Sequence, residues 1–211
     1  MSDPRSPLAL PAFLLSRLGP LRALRVLIGC ARRLARGEPF AHLPPAHDQR
    51  ERDSRAQAAP VFVLYRVLED LGVPDALGLV GEVVELGAIR FLARSIGPIR
   101  RDAIAAMTDA ERQRWVDERA RRFPNAVPTF EAVGPDEVRF RIHDCRFVSL
   151  AREAGQPALA SVFCRGDARY FGSVERGVVL ERPHTLASGG PDCPFTLRFP
   201  RAAKRGNRDN Q

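Results

Sequence analysis

At 211 residues, with 45% hydrophobic and 27% charged side chains, the chain has the balance of a globular protein with a sizeable core, which excludes a disordered or fibrous polymer. Its net charge of +8 comes almost wholly from arginine, Lys204 being the single lysine. The arginines are scattered rather than interleaved with aromatic residues, which argues against a nucleic-acid partner and fits the coding bias of a GC-rich bacterial genome.

Residues 1–7 read as a flexible start, and 8–36 as helical segments broken at Pro11 and at Gly19-Pro20. Beyond that break Leu21, Leu24, Val26, Leu27, Cys30 and Leu34 form an apolar stripe opposite Arg22, Arg25, Arg32, Arg33 and Arg36. Such a stripe is expected to pack against its own domain, with Cys30 as a core thiol; a basic amphipathic helix on a membrane surface is the alternative. Arg17, Arg22 and Arg25 interrupt the leucines, so no uncharged run is long enough to cross a bilayer. The polar, proline-bearing stretch 38–59 reads as a linker, with Pro44-Pro45 and the charge run from Asp48 to Arg55. Domain boundaries are accordingly expected at 1–59 for a basic helical extension and linker, 60–200 for an α+β domain, and 201–211 for a disordered basic tail. A chain starting near Arg55 is then expected to stay folded.

Pro60 opens a predicted helix to Leu71, and Pro74 a second to about Ser95, in which Gly78, Gly81 and Gly87 permit close packing. Thr108-x-x-Glu111 is a capping box ahead of a helix to Phe123, with Trp115 as its buried anchor. After Pro124 the periodicity changes. Val138, Phe140 and Ile142 alternate with Arg139, Arg141 and His143 as in a half-buried strand. Asp144 is expected to cap a short helix from Cys145 to Ala154 that stops at Gly155, and Pro157 to open another towards Cys164. Residues 177–182 and 195–199 read as strands joined through the turn Ser188-Gly-Gly-Pro-Asp192. The fold class is α+β, an N-terminal helical half packed on a C-terminal antiparallel sheet with short helices.

Chemistry-bearing residues concentrate in Cys164-Arg-Gly-Asp167 and in Arg182-Pro-His184-Thr185-Leu-Ala-Ser-Gly189-Gly190-Pro-Asp192-Cys193-Pro-Phe195. A thiol attacks or ligates only as thiolate, so it needs an acid, base or positive charge beside it, and this segment supplies all three. Cys164 is expected to be the nucleophile, its pKa lowered by a helix terminus or by a neighbouring arginine. Asp167, one helical turn on, shares its face and is suited to pair with an amidinium or to orient an acid or base. His184 is the candidate acid or base, Arg182 a clamp for a substrate carboxylate, and Cys193 a second thiol held in a turn. His143 and Cys145 are weaker candidates. Together Cys145, Cys164, Asp167, His184 and Cys193 match no compact zinc signature, so neither metal nor cofactor is expected. The four cysteines contain no CxxC and follow no signal peptide, consistent with reduced thiols in the cytoplasm.

At Cys164-x-x-Asp167, Arg182-x-x-Thr185-Leu, Gly189 and Cys193-x-Phe195 the sequence resembles the L-2-amino-thiazoline-4-carboxylic acid hydrolase family over about residues 60–200. The resemblance implies hydrolysis of a cyclic isothiourea to a carbamoyl-cysteine, with Cys164, Asp167, His184 and Cys193 in chemistry and Arg182, Thr185 and Gly189 at the substrate. The closing motif is also similar to that of vinyl-reductase-type modules, which bind small molecules without having to act on them. Pro194 and the Gly189-Gly190-Pro191 turn depart from the usual hydrolase pattern. Two function classes therefore stand, a cofactor-independent hydrolase and a non-catalytic small-molecule-binding regulatory module, with a membrane-associated interaction protein as a third.

Overall fold

The computed structural model describes residues 9–175 and 177–200; the expected flexible start and basic tail lie outside them. Helix α1 spans Ala9–Ala35 and is broken at Gly19, whose φ of 73° and ψ of 166° lie outside the helical region, followed by Pro20. Its packing differs from the expected stripe. Leu14, Ala23 and Val26 are buried, and a Cβ at Gly29 would crowd the side chain of Val67, whereas Leu21 is 76% exposed and Leu24, Leu27, Ile28 and Leu34 also face outward. The small residues let the helix lie close, and that closer face wins over the leucine-rich one.

The expected linker is a correction. Helix α2 runs Gln49–Asp70, capped by the Asp48 side chain, which accepts from the Glu51 N–H at 2.7 Å. Pro60 therefore lies inside a helix rather than opening one. The charge run is helical because its members pair one turn apart, Gln49 with Asp53 and Arg55 with Glu51. Glu51 is only 3% exposed and accepts from Arg146 at 2.5 and 2.7 Å; Arg146 also donates to Glu153. This cluster joins the first helices to the α+β half.

Helix α3 (Ala76–Ile96) starts at Asp75, whose carboxylate accepts the Gly78 N–H and occupies the space a Cβ at Gly78 would need. Gly81 lies under the Arg165 guanidinium, but a Cβ at Gly87 would meet nothing within 4 Å, so Gly87 is not a packing contact. The short α4 (Arg101–Ala106) precedes α5 (Asp109–Ala120), which carries the expected capping box of Thr108 and Glu111. Trp115 is half-buried rather than a buried anchor, with the Arg119 guanidinium 3.9 Å from its ring centroid.

Strand β1 (Ala126–Val133), unforeseen in the sequence, pairs with β2 (Glu137–Cys145). Helix α6 (Arg146–Glu153) follows with no side-chain cap, so Asp144 does not serve as one. A short 3₁₀ turn from Pro157 leads into α7 (Ala160–Arg169), and a π turn over Tyr170–Val174 follows it. Strands β3 (Val179–Glu181) and β4 (Cys193–Arg198) complete an antiparallel sheet of order β1-β2-β4-β3. The α+β architecture holds. Residues of α1, α2, α3, α6 and α7 share one core cluster, and a second lies between the end of α3, α5 and the sheet.

Burial of the Glu51 carboxylate is offset by its hydrogen bonds from Arg146 and Arg55, which hold its pKa down at about 2. The stability this contributes is complete above the ordinary carboxylate range and is lost as pH falls towards 2. Glu51→Ala is expected to cost about 1.5–3 kcal/mol, because it removes the buried acceptor that Arg146 and Arg55 share, while Arg146 keeps Glu153. Urea denaturation at pH 7 checks the size, and an unchanged midpoint would show that the cluster is not structural.

Candidate active site

Strands β2 and β4 are in register so that Ile142 faces Cys193, Phe140 faces Phe195 and Val138 faces Leu197. These residues turn to one face of the sheet because side chains two apart share a side. That face, α3, α5 and α7 enclose a cavity of about 570 Å³. Cys145, Cys164, Asp167, Arg182 and Cys193 lie on its wall, together with Phe140, Phe163 and Phe195. The helical spacing places Cys164 and Asp167 on one face of α7, as the sequence implies.

Arg182 leaves the end of β3 and is 9% exposed in its side chain. It donates to Asp167 Oδ2 and to the Cys164 carbonyl, both at 2.8 Å, and its guanidinium lies 4.9 Å from the Phe195 ring centroid. Asp167 retains some accessible surface on the cavity side. Its pKa is raised by loss of water around the carboxylate, against the lowering effect of Arg182.

The thiols differ from the expected activated state. Cys164 sits mid-helix, away from either terminus, and donates weakly to the Ala160 carbonyl at 3.9 Å. Burial pushes its pKa up to about 11, more than the Arg182 charge lowers it. Cys193, at the start of β4, is also pushed up by burial, but its Sγ accepts the Leu186 N–H at 3.1 Å, a bond that favours the thiolate. The Asn125 amide approaches the Cys145 Sγ at 3.6 Å.

His184 is not among the cavity-lining residues. Its Nε2 lies 2.7 Å from Asp192 Oδ1, and Asp192 Oδ2 accepts from Arg141 at 2.9 Å. These contacts keep the Asp192 pKa low, Arg141 contributing most, and tie the loop after β3 to the sheet just before Cys193. Thr185 and Gly189 shape the same loop. Thr185 and Ser188 cap each other in a 3₁₀ turn, Gly189 closes it with a φ of 86°, and neither lines the cavity. A Cβ on Gly190 would collide with the His184 ring, so the double glycine is a demand of this loop. Pro194 is accommodated because β3 ends opposite Thr196, leaving Pro194 without a β3 neighbour. His143 is exposed. Gln57 and Asn125 line the cavity and were not singled out from the sequence, Gln57 because it lay in the supposed linker and Asn125 because nothing local marks it; Gly87, expected as a packing contact, lines it as well. Among the described residues no group of three or more His, Cys, Asp and Glu side chains is placed to hold a metal ion, and no helix is long and apolar enough to cross a membrane.

The family model for L-2-amino-thiazoline-4-carboxylic acid hydrolase matches residues 52–197. The chain belongs to this family. Neither a curated protein nor a solved structure matches it. The match to the hydrolase family begins inside α2 and ends in β4, so it takes in every residue named on the cavity's polar wall.

With a pKa near 11, Cys164 is almost wholly protonated at neutral pH. Its alkylation by iodoacetamide is expected to accelerate about tenfold per pH unit from 7 to 10, following the thiolate fraction. Mass-spectrometric mapping of the modified cysteine gives the rate; a plateau near pH 7 would mean an activated thiol instead.

Proposed function

We propose that the protein is a cofactor-independent hydrolase that opens cyclic amidines or isothioureas such as 2-amino-thiazoline-4-carboxylate, with chemistry on the Cys164, Cys193, Asp167 and Arg182 wall. The observation that carries this reading is that two thiols, a carboxylate with a raised pKa and a guanidinium border one mainly apolar cavity. Cys193 is the better-prepared nucleophile, since its sulfur already accepts a backbone N–H whereas that of Cys164 acts as a donor.

In this mechanism the thiol proton of Cys193 passes to the Asp167 carboxylate and the thiolate adds to the amidine carbon. A bound amidinium supplies the positive charge that brings the thiol's pKa down. The carbon–sulfur bond of the ring breaks, and the departing sulfur takes the proton back from Asp167. Water then adds to the same carbon and expels the enzyme thiol, one water proton going to that thiol and the other through the Asp167 carboxylate to solvent. The net reaction consumes one water, breaks the ring carbon–sulfur bond and leaves a urea. Arg182 holds Asp167 and steers a substrate carboxylate, while His184 acts through the loop rather than on the substrate.

A second reading, a non-catalytic binding module, draws on the apolar character of the cavity and the high pKa values of both thiols. Turnover separates the two. Cys193→Ser is expected to lower kcat for 2-amino-thiazoline-4-carboxylate at least about 100-fold, and Asp167→Asn by about 10²–10⁴, with substrate binding retained in both. Cys164→Ser is expected to cost about tenfold or less. Wild-type turnover by Cys193→Ser would refute the covalent step, and binding without turnover by the unmodified protein would leave the module reading.

A further inference from the structure

The cavity is far larger than a single five-membered ring with a carboxylate requires. Its volume of about 570 Å³ falls in the range that encloses drug-sized ligands. Its long dimension follows from the strand register. Cys193 and Leu197 both line it, and they are four residues apart on β4. At about 3.3 Å per residue this is about 13 Å of sheet, all on one face. At the Cys193 end stand the thiols, Asp167 and Arg182; towards Leu197 the walls are Phe91, Trp115, Phe123, Phe130 and Phe140. This end offers a ligand mainly apolar and aromatic surface.

Building on the reading of the polar wall as the reaction site, we propose that the substrate has an amidine or thiourea head and an apolar body. The head sits at the Cys193 wall. The body, a chain of roughly eight to ten carbons or two fused rings, lies along the sheet towards Leu197. Burying such a body displaces only weakly held water from aromatic walls, and this supplies affinity that a bare ring lacks. Gly87 keeps the space open: it lines the cavity, and a Cβ there would meet no atom within 4 Å.

Occupancy has a built-in reporter, since Trp115 is the only tryptophan in the chain and lines this region. Its fluorescence is followed while the full chain is titrated with N-methyl-, N-butyl-, N-hexyl- and N-octylthiourea, with 2-amino-thiazoline-4-carboxylate turnover measured in parallel. Affinity is expected to rise about threefold to fourfold per methylene from butyl to octyl, the increment for full burial of each CH₂. Gly87→Leu places a side chain in the open space and is expected to weaken octylthiourea by at least about tenfold while changing methylthiourea less than about twofold. Gly87→Ala should give a smaller loss in the same direction and serves if the leucine variant does not fold. Equal affinity across the series, or octylthiourea binding that ignores both Gly87 variants, overturns the proposal. Steep chain-length dependence with no hydrolysis would refute the catalytic reading and leave this one standing; hydrolysis with a flat series would do the reverse.

Discussion

Arg182 carries a charge that has been taken almost completely out of water, and a buried cation persists only where fixed partners replace its hydration. Its partners come from two separate pieces of chain, the Asp167 carboxylate and the Cys164 carbonyl on α7 and the Phe195 ring on β4, while its own backbone directly follows β3. Each depends on the others. Without Arg182 the Asp167 carboxylate would face the cavity with no counter-charge, and the helix carrying Cys164 would lose its link to the strand carrying Cys193. The fork geometry of guanidinium, which a lysine lacks, is what allows two acceptors at once.

The environment that makes this ion pair stable also determines the resting state of the thiols. Low polarity strengthens the Arg182–Asp167 attraction and at the same time penalises any new charge, so the sulfurs of Cys164 and Cys193 are held neutral. In the proposed reaction a cationic head would change that balance on arrival, because it would bring the missing counter-charge with it. Under that proposal, selection of the ligand and activation of the nucleophile would become one event.

Much of this was legible in the chain, in proportion to how local the determining forces are. The Thr108–Glu111 capping box, the Gly155 stop and the alternation in β2 depend on neighbours within a turn or a strand, and they appear where the sequence places them. The three-residue spacing that puts Cys164 and Asp167 on one face of α7 was likewise readable; that Arg182 and Cys193 join them on the cavity wall depends on the sheet register, which no local pattern carries. What failed depended on distant partners. The charge run after Asp48 resembles a solvated linker until Arg146, 95 residues on, takes Glu51 into the interior. Strand β1 contains Pro128 and has irregular register with β2; it is possible because β1 is a sheet edge, a fact no local pattern carries. The leucines of α1 were misassigned because helix contact was decided by small residues. His184 was placed on a strand face, but the strand ends at Glu181, three residues before it.

The neutral state of the cavity thiols has a consequence for the protein's chemical durability. Peroxides oxidise cysteine as thiolate, and the sequence of sulfenic, sulfinic and sulfonic acids begins only from that form. Cys164, with its pKa near 11 and its sulfur turned towards a helix carbonyl, and Cys193, whose burial outweighs the Leu186 N–H that favours its thiolate, both rest mainly outside that sequence. The burial that holds both thiols neutral therefore also slows their oxidation by peroxide.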